Sequence, residues 1–123
     1  MRDLTVRFAG NEVLRKLDLD IFPNERLAII GPARSGKPSF LRCLNLLNDL
    51  QYDFSLTGKI LIDGNDIYGP GVDVVQLRRR VGMVYAVPVP LPRSAYENLV
   101  FGLRLAGIRD KATLDERVES SLK

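Results

Sequence analysis

The chain has 123 residues, 46% hydrophobic and 27% charged, which is the balance of an ordinary globular sequence and not of a disordered one. Its formal net charge of +3 suits contact with anions but is too small to imply a nucleic-acid partner. The absence of histidine excludes histidine ligation and histidine acid–base catalysis, and the single cysteine, Cys43, excludes an internal disulfide and a zinc cluster.

A lone cysteine suits a reducing compartment. Met1-Arg2-Asp3-Leu4 lacks the apolar core of a signal peptide. No apolar run approaches the roughly 20 residues of a membrane-spanning helix, so work at a membrane would need a partner to hold the chain there.

In chain order, Leu4-Thr5-Val6-Arg7-Phe8 alternates apolar and polar residues, the pattern of a half-buried strand. Ala9-Gly10-Asn11 breaks it, and Leu17-Asp18-Leu19-Asp20-Ile21 alternates again. After a turn at Pro23-Asn24, Leu27-Ala28-Ile29-Ile30 is continuously apolar, as in a strand buried on both faces, and it stops at Gly31. From Lys37 the period becomes helical, with Phe40, Cys43, Leu44, Leu47 and Leu50 at three- and four-residue spacing.

Lys59-Ile60-Leu61-Ile62 then predicts a strand entering a tight turn at Asp63-Gly64. Val74 to Arg80 predicts a short helix ending in a solvated basic run, and Val81-Gly82-Met83-Val84-Tyr85 a further buried strand. Pro88, Pro90 and Pro92 enforce an extended stretch. Ser94 and Glu97 form a capping-box pattern for a helix carrying Ala95, Leu99 and Leu103 on one face and ending at Gly107. Thr113 and Glu116 would cap a final helix with Leu114, Val118 and Leu122 on one side. No stop signal precedes Lys123, so a domain that continues is expected.

The segment Gly31-Pro32-Ala33-Arg34-Ser35-Gly36-Lys37-Pro38-Ser39 has two glycines five apart followed by lysine, between a strand pattern and a helix pattern. In such a phosphate loop successive amides curl into an anion site, and the lysine ammonium contacts the outer phosphates. The pattern calls for serine or threonine after the lysine, to ligate magnesium. Pro38 stands there, with neither a hydroxyl nor a backbone N–H. It suits the first turn of a helix, although a residue before proline is pushed away from helical geometry, which bears on Lys37. Ser39 lies one residue on, a rotation of about 100° around the helix.

With that loop in place, Gly36 to Asn45 with Asn48-Asp49-Leu50, Gly58 to Tyr68, Val72 to Val84, Tyr96-Glu97-Asn98, Phe101 to Arg104 and Gly107-Ile108 resemble the ATP-binding subunits of ABC transporters. Those that import phosphate are the most similar. The resemblance implies an α/β P-loop NTPase fold of the ABC ATPase type, incomplete, with an antiparallel β portion at the amino terminus. Residues 1–123 would be the amino-terminal half of the domain, with the phosphate loop at 31–39, a degenerate Q-loop region at 81–92 and the start of a helical region at 94–123.

The family pattern makes ATP the expected ligand, held by Gly31, Pro32, Ala33, Arg34, Ser35, Gly36, Lys37 and Ser39. Phe8 falls where an aromatic stacks on adenine, with packing in the core as the alternative. Arg34 replaces a usual glycine, either to assist phosphate binding or to crowd the loop. Ala86 replaces a glutamine that touches magnesium and the attacking water, so Pro38 and Ala86 together leave magnesium without its expected ligands, and no metal or catalytic residue is assigned.

The signature loop, the aspartate–glutamate strand and the switch histidine of the family would lie in the other half of the domain. The implied partners are transmembrane permease subunits and a second ATP-binding subunit, at the cytoplasmic face of the plasma membrane, with Pro88 to Pro92 turned toward the permease or else a plain loop. Three functions are compatible with these residues: an ATPase subunit powering phosphate import, a nucleotide-binding module without hydrolysis, and a remnant whose apolar strands lack partners.

Overall fold

A computed structural model describes all residues 1–123 and divides them into two units, Met1–Met83 and Val84–Lys123. In the first unit β1 (Arg2–Phe8) is the middle strand of an antiparallel sheet, between β2 (Asn11–Leu17) and β3 (Phe54–Lys59). Val6 sits opposite Leu14 of β2 and Leu56 of β3, and Phe8 opposite Asn11 and Phe54. This is the antiparallel portion expected from the resemblance.

The half-buried alternation expected of β1 gives way at its centre, because Leu4, Thr5 and Val6 are all buried. Thr5 tolerates burial because its hydroxyl accepts the Lys16 amide at 3.1 Å, so no polar group is left without a partner. The second expected strand is shifted: β2 ends at Leu17, and beyond it only Leu19 pairs, exchanging hydrogen bonds with Met1.

Gly58 fixes how β1 meets β3. Its φ of +95° lies in the left-handed region, and a Cβ there would stand 2.3 Å from the Asp3 carbonyl oxygen. Only glycine allows the two backbones to approach so closely. The pairing shifts register between Arg2 and Thr5, the stretch that faces this glycine.

Helix α1 (Lys37–Cys43) places Phe40 and Cys43 in the interior. Cys43, Leu46, Leu4, Val6, Ile60, Ile67 and Leu77 form one buried cluster. The helix is shorter than the apolar spacing predicts. Leu46 adopts a φ of +58°, which ends the helical path, and a single 3-10 turn follows at Asn48–Leu50. Asn48 is fully buried and donates to the Ser39 carbonyl at 2.8 Å, which ties this turn back to α1.

The Asp63-Gly64 turn forms as expected, with φ of +50° and +78°, joining β4 (Leu61–Ile62) to β5 (Asn65–Asp66). Helix α2 (Val74–Arg80) is capped by Asp73, whose carboxylate accepts the amides of Val75 and Gln76. The basic run at its end is only partly a solvated one. Arg78 turns inward and donates to the carbonyls of Asn45 and Leu46 just past the end of α1, where a cation offsets exposed carbonyl dipoles.

Two expected buried strands do not form. Leu27–Ile30 and Val81–Tyr85 have no ladder partner, and Ile30 and Val84 are 92% and 97% exposed. Both ladder edges of β1 are already taken, and a strand apolar on both faces needs hydrogen-bonded neighbours and a layer on each side.

In the second unit the proline stretch forms neither helix nor strand and turns at its end, where the Arg93 amide donates to the Leu91 carbonyl at 2.7 Å, and α3 (Ala95–Leu105) begins at Ser94, whose hydroxyl accepts the Glu97 amide. The reciprocal half of the capping box does not form, because Glu97 pairs with Arg104 at 2.6 Å. The buried residue of α3 is Val100, whereas Leu99 is 40% exposed. Gly107 ends the helix with a φ of +92°, as expected. Helix α4 (Lys111–Ser121) is capped by Asp110 and not by Thr113, whose amide and hydroxyl both donate to Asp110. Leu114 is buried, Leu122 is exposed, and the Tyr96 hydroxyl donates to Asp115 across the helix pair at 2.7 Å. No helix is long and apolar enough to cross a membrane.

Candidate functional site

The loop from Gly31 to Gly36 leads directly into α1. Gly36 is the residue before the helix, in the left-handed region at φ +85°, and a Cβ there would press on Val13 and Leu14 of β2 at 3.0–3.1 Å. Glycine therefore does two things at this position: it turns the chain and lets the loop lie against the sheet. Pro38 falls within the first turn, where its missing N–H breaks no helical hydrogen bond. The Phe40 amide still reaches the Gly36 carbonyl at 2.8 Å. The fold tolerates proline here without losing the helix start.

The Lys37 side chain folds back over the loop. Its ammonium donates to the carbonyls of Gly31 and Pro32 at 2.9 and 2.6 Å and to the Ser35 hydroxyl at 3.2 Å. All three protons are thus directed at loop oxygens. The backbone amides from Ala33 to Gly36 are committed to no other group of the chain. A cation beside uncommitted amides is an arrangement that accepts an anion.

Arg34 lies at the tip of this loop, exposed and with a φ of +63°. None of the five ion pairs in the molecule involves it. Pro32 and Ala33 are exposed beside it, and Ser39 is half-buried on α1. Gly31 to Arg34 are thus exposed, Gly36 is buried against β2, and Ser39 lies on α1.

Phe8 does not line the cleft beside the loop. Its ring packs on Phe54, centroids 5.5 Å apart at 43°, and it is half-buried against the core. What adjoins the loop is an apolar cleft of about 350 Å³ lined by Leu14, Leu17, Leu19, Ile29, Ile30 and Phe40 together with Gly31, Pro32, Ser35, Gly36 and Lys37. The pattern of glycines and lysine does not reveal that cleft. The alternating leucines Leu17 and Leu19 and the apolar run Leu27–Ile30 are its trace in the sequence.

The residues do not fit a magnesium ion. Pro38 offers no oxygen on its side chain, Ala86 is an exposed methyl, and no group of three or more acids or cysteines could hold a metal. From Leu27 to Asn48 there is no acidic residue at all, while Arg34, Lys37 and Arg42 are all cationic. Hard divalent cations require oxygen ligands, usually carboxylates. By contrast, the loop offers groups of the kind that bind anions: amides committed to no other group, a lysine ammonium and an arginine that enters no ion pair.

Comparison with known proteins accords with this geometry. Residues 14–123 match the family model described as ABC transporter. Over all 123 residues the chain is 50% identical to the phosphate import ATP-binding proteins PstB 1 of Streptococcus pyogenes serotypes M1, M3 and M18. It covers 100% of its own length in these matches and 49% of theirs, so it spans about half the length of the curated relatives it matches. The matched region runs from within β2 to Lys123 and contains the whole phosphate loop and α1, and on that ground the chain belongs to the ABC transporter family.

Proposed function

We propose that this chain is part of the ATP-binding component of an ABC importer, with phosphate as the imported solute. The observation that carries the proposal is the loop itself, in which the Lys37 ammonium lies against the Gly31 and Pro32 carbonyls beside four uncommitted amides. Residues 1–123 would form the amino-terminal half of the nucleotide-binding domain. Within it would lie the phosphate loop at 31–39, an altered Q-loop region at 81–92 and the start of a helical region at 94–123. The relatives' descriptions as phosphate import ATP-binding proteins support the choice of solute.

In this proposal the triphosphate rests on the amides of Ala33 to Gly36, and Lys37 exchanges its loop carbonyls for phosphate oxygens. Ser39 and Ser35 supply nearby hydroxyls. Phe8 is the family's candidate for adenine stacking, through the part of its ring that Phe54 leaves uncovered, and Phe8→Ala tests that role. Permease subunits and a second ATP-binding subunit would complete the importer at the inner face of the plasma membrane.

A second function is favoured by a specific observation: Pro38 and Ala86 remove two groups associated with magnesium and water. A module that binds ATP without hydrolysing it is consistent with both. The common claim is nucleotide binding at the loop. A thermal melt of the chain with and without ATP tests it: saturating ligand at 100 times its Kd adds about 2.7 kcal/mol, a shift of several degrees for a domain of this size. At the same ATP concentration Lys37→Ala should cut the shift to about half or less. An equal shift in Lys37→Ala would refute binding at this loop.

A further inference from the structure

In the phosphate-loop pattern, the hydroxyl after the lysine ligates a divalent cation, and that cation offsets phosphate charge. In this chain the position is Pro38, and the segment from Leu27 to Asn48 holds no acid that could hold a cation in its place. The same loop carries one positive charge more than the pattern requires, at Arg34.

Arg34 is exposed, enters no ion pair, and sits midway along the uncommitted amides. Its φ of +63° is a conformation that side-chain-bearing residues resist, and nothing within the folded chain rewards an arginine there. A guanidinium stays charged at any physiological pH and presents a planar fork that matches phosphate oxygens in pairs. It can therefore supply both charge and directed hydrogen bonds to a phosphate chain lying on the loop.

We propose that this chain binds the phosphates of a nucleoside triphosphate without a divalent cation, Arg34 supplying the charge that the cation would bring. This rests on the nucleotide-binding proposal above and adds how its charge is balanced. A triphosphate free of metal carries more negative charge than its magnesium complex. A loop with two unneutralised cations and no metal ligand favours the metal-free form by simple Coulomb attraction. Pro38 adds to that preference, because it offers a metal-bound water or ion no side-chain oxygen to approach.

The test is calorimetric titration of the full chain with ATP, once in magnesium and once in a chelator. Native protein, Arg34→Gly, Arg34→Lys and Pro38→Thr are compared. Native protein should bind ATP at least as tightly in the chelator as in magnesium. Arg34→Gly should weaken binding in the chelator about tenfold or more, the usual scale for a lost hydrogen bond between charged groups. Glycine suits the backbone conformation at this position, so that loss would not come from misfolding. Arg34→Lys should retain part of the affinity, and Pro38→Thr should tighten binding only when magnesium is present.

Tenfold tighter native binding in magnesium, or an Arg34→Gly titration indistinguishable from native, would overturn the metal-free site while leaving nucleotide binding intact. No heat of binding in either buffer would overturn the nucleotide-binding proposal itself, and this inference with it.

Discussion

The ammonium of Lys37 donates to the carbonyl oxygen of Gly31 at 2.9 Å, tying the end of the phosphate loop to its beginning. These bonds are exposed, so water can replace them and the lysine is free to turn to a ligand. Lys37→Ala should therefore leave the melting temperature almost unchanged, within about 0.5 kcal/mol as for most surface substitutions. Its ATP affinity should fall about tenfold to a hundredfold, the cost of one hydrogen bond between charged groups. Paired melting and titration curves check both halves.

Arg34→Gly should stabilise the fold. A non-glycine residue in the left-handed region costs about 1–2 kcal/mol, and Arg34 enters no ion pair that would offset it. Part of that gain is returned, because glycine enlarges the unfolded ensemble. A net rise in denaturant midpoint for Arg34→Gly, with unchanged slope, is the expected result. A fall would mean that the guanidinium holds the loop together.

Gly58→Ala should be strongly destabilising. A methyl group 2.3 Å from the Asp3 carbonyl oxygen forces β1 and β3 apart, and the φ of +95° adds strain. The loss should exceed about 3 kcal/mol, in the range of severe backbone substitutions. Chemical denaturation gives the value directly. Gly64→Ala is a useful comparison, since a Cβ there meets nothing within 4 Å and only the turn conformation is disturbed.

Much of this architecture was legible in the sequence because it depends on local patterns. The Asp63-Gly64 turn, the α2 span and the Ser94 start of α3 need only neighbours a few residues away. What failed needed distant partners. Leu27–Ile30 and Val81–Tyr85 have the composition of buried strands, but composition does not reveal whether a ladder partner exists. Asn48 and Arg78 were missed for a related reason. Each looks like a surface residue, and each is drawn inward by backbone carbonyls around α1 that no spacing rule points to. At the candidate site, the glycines, the lysine and the anomaly at Pro38 were all visible. The apolar cleft beside them was not, because β2, the 29–30 segment and α1 meet there only in three dimensions.

Cys43 should be inert in the folded protein. It is fully buried, Asn48 donates to its sulfur at 3.1 Å, and burial pushes its thiol up to about 11. Thiolate is the reactive form, so alkylation at pH 8 should proceed only through opening of the fold. Labelling should be slow in buffer and complete in denaturant. Fast labelling in buffer would show that the core around α1 opens readily.

The cap of α4 should give a pH signature. Hydrogen bonds from the Thr113 amide and hydroxyl hold the Asp110 carboxyl below its usual range. A carboxylate with a lowered folded pKa adds stability that is fully present above its unfolded value, about 3.9, and that is lost as pH falls through the folded value. Asp110→Asn should flatten that part of the acid-side stability curve. Circular dichroism across the acid range, for both proteins, would show it.

The central claim is that a nucleotide's phosphates lie on the loop between Gly31 and Lys37. Backbone amide chemical shifts on titration with ATP report it residue by residue. The amides of Ala33, Arg34, Ser35, Gly36 and Lys37 should move first and furthest, saturating together, and Lys37→Ala should suppress the change. Shifts confined to other surfaces, or none at ATP concentrations that saturate ordinary nucleotide sites, would contradict it.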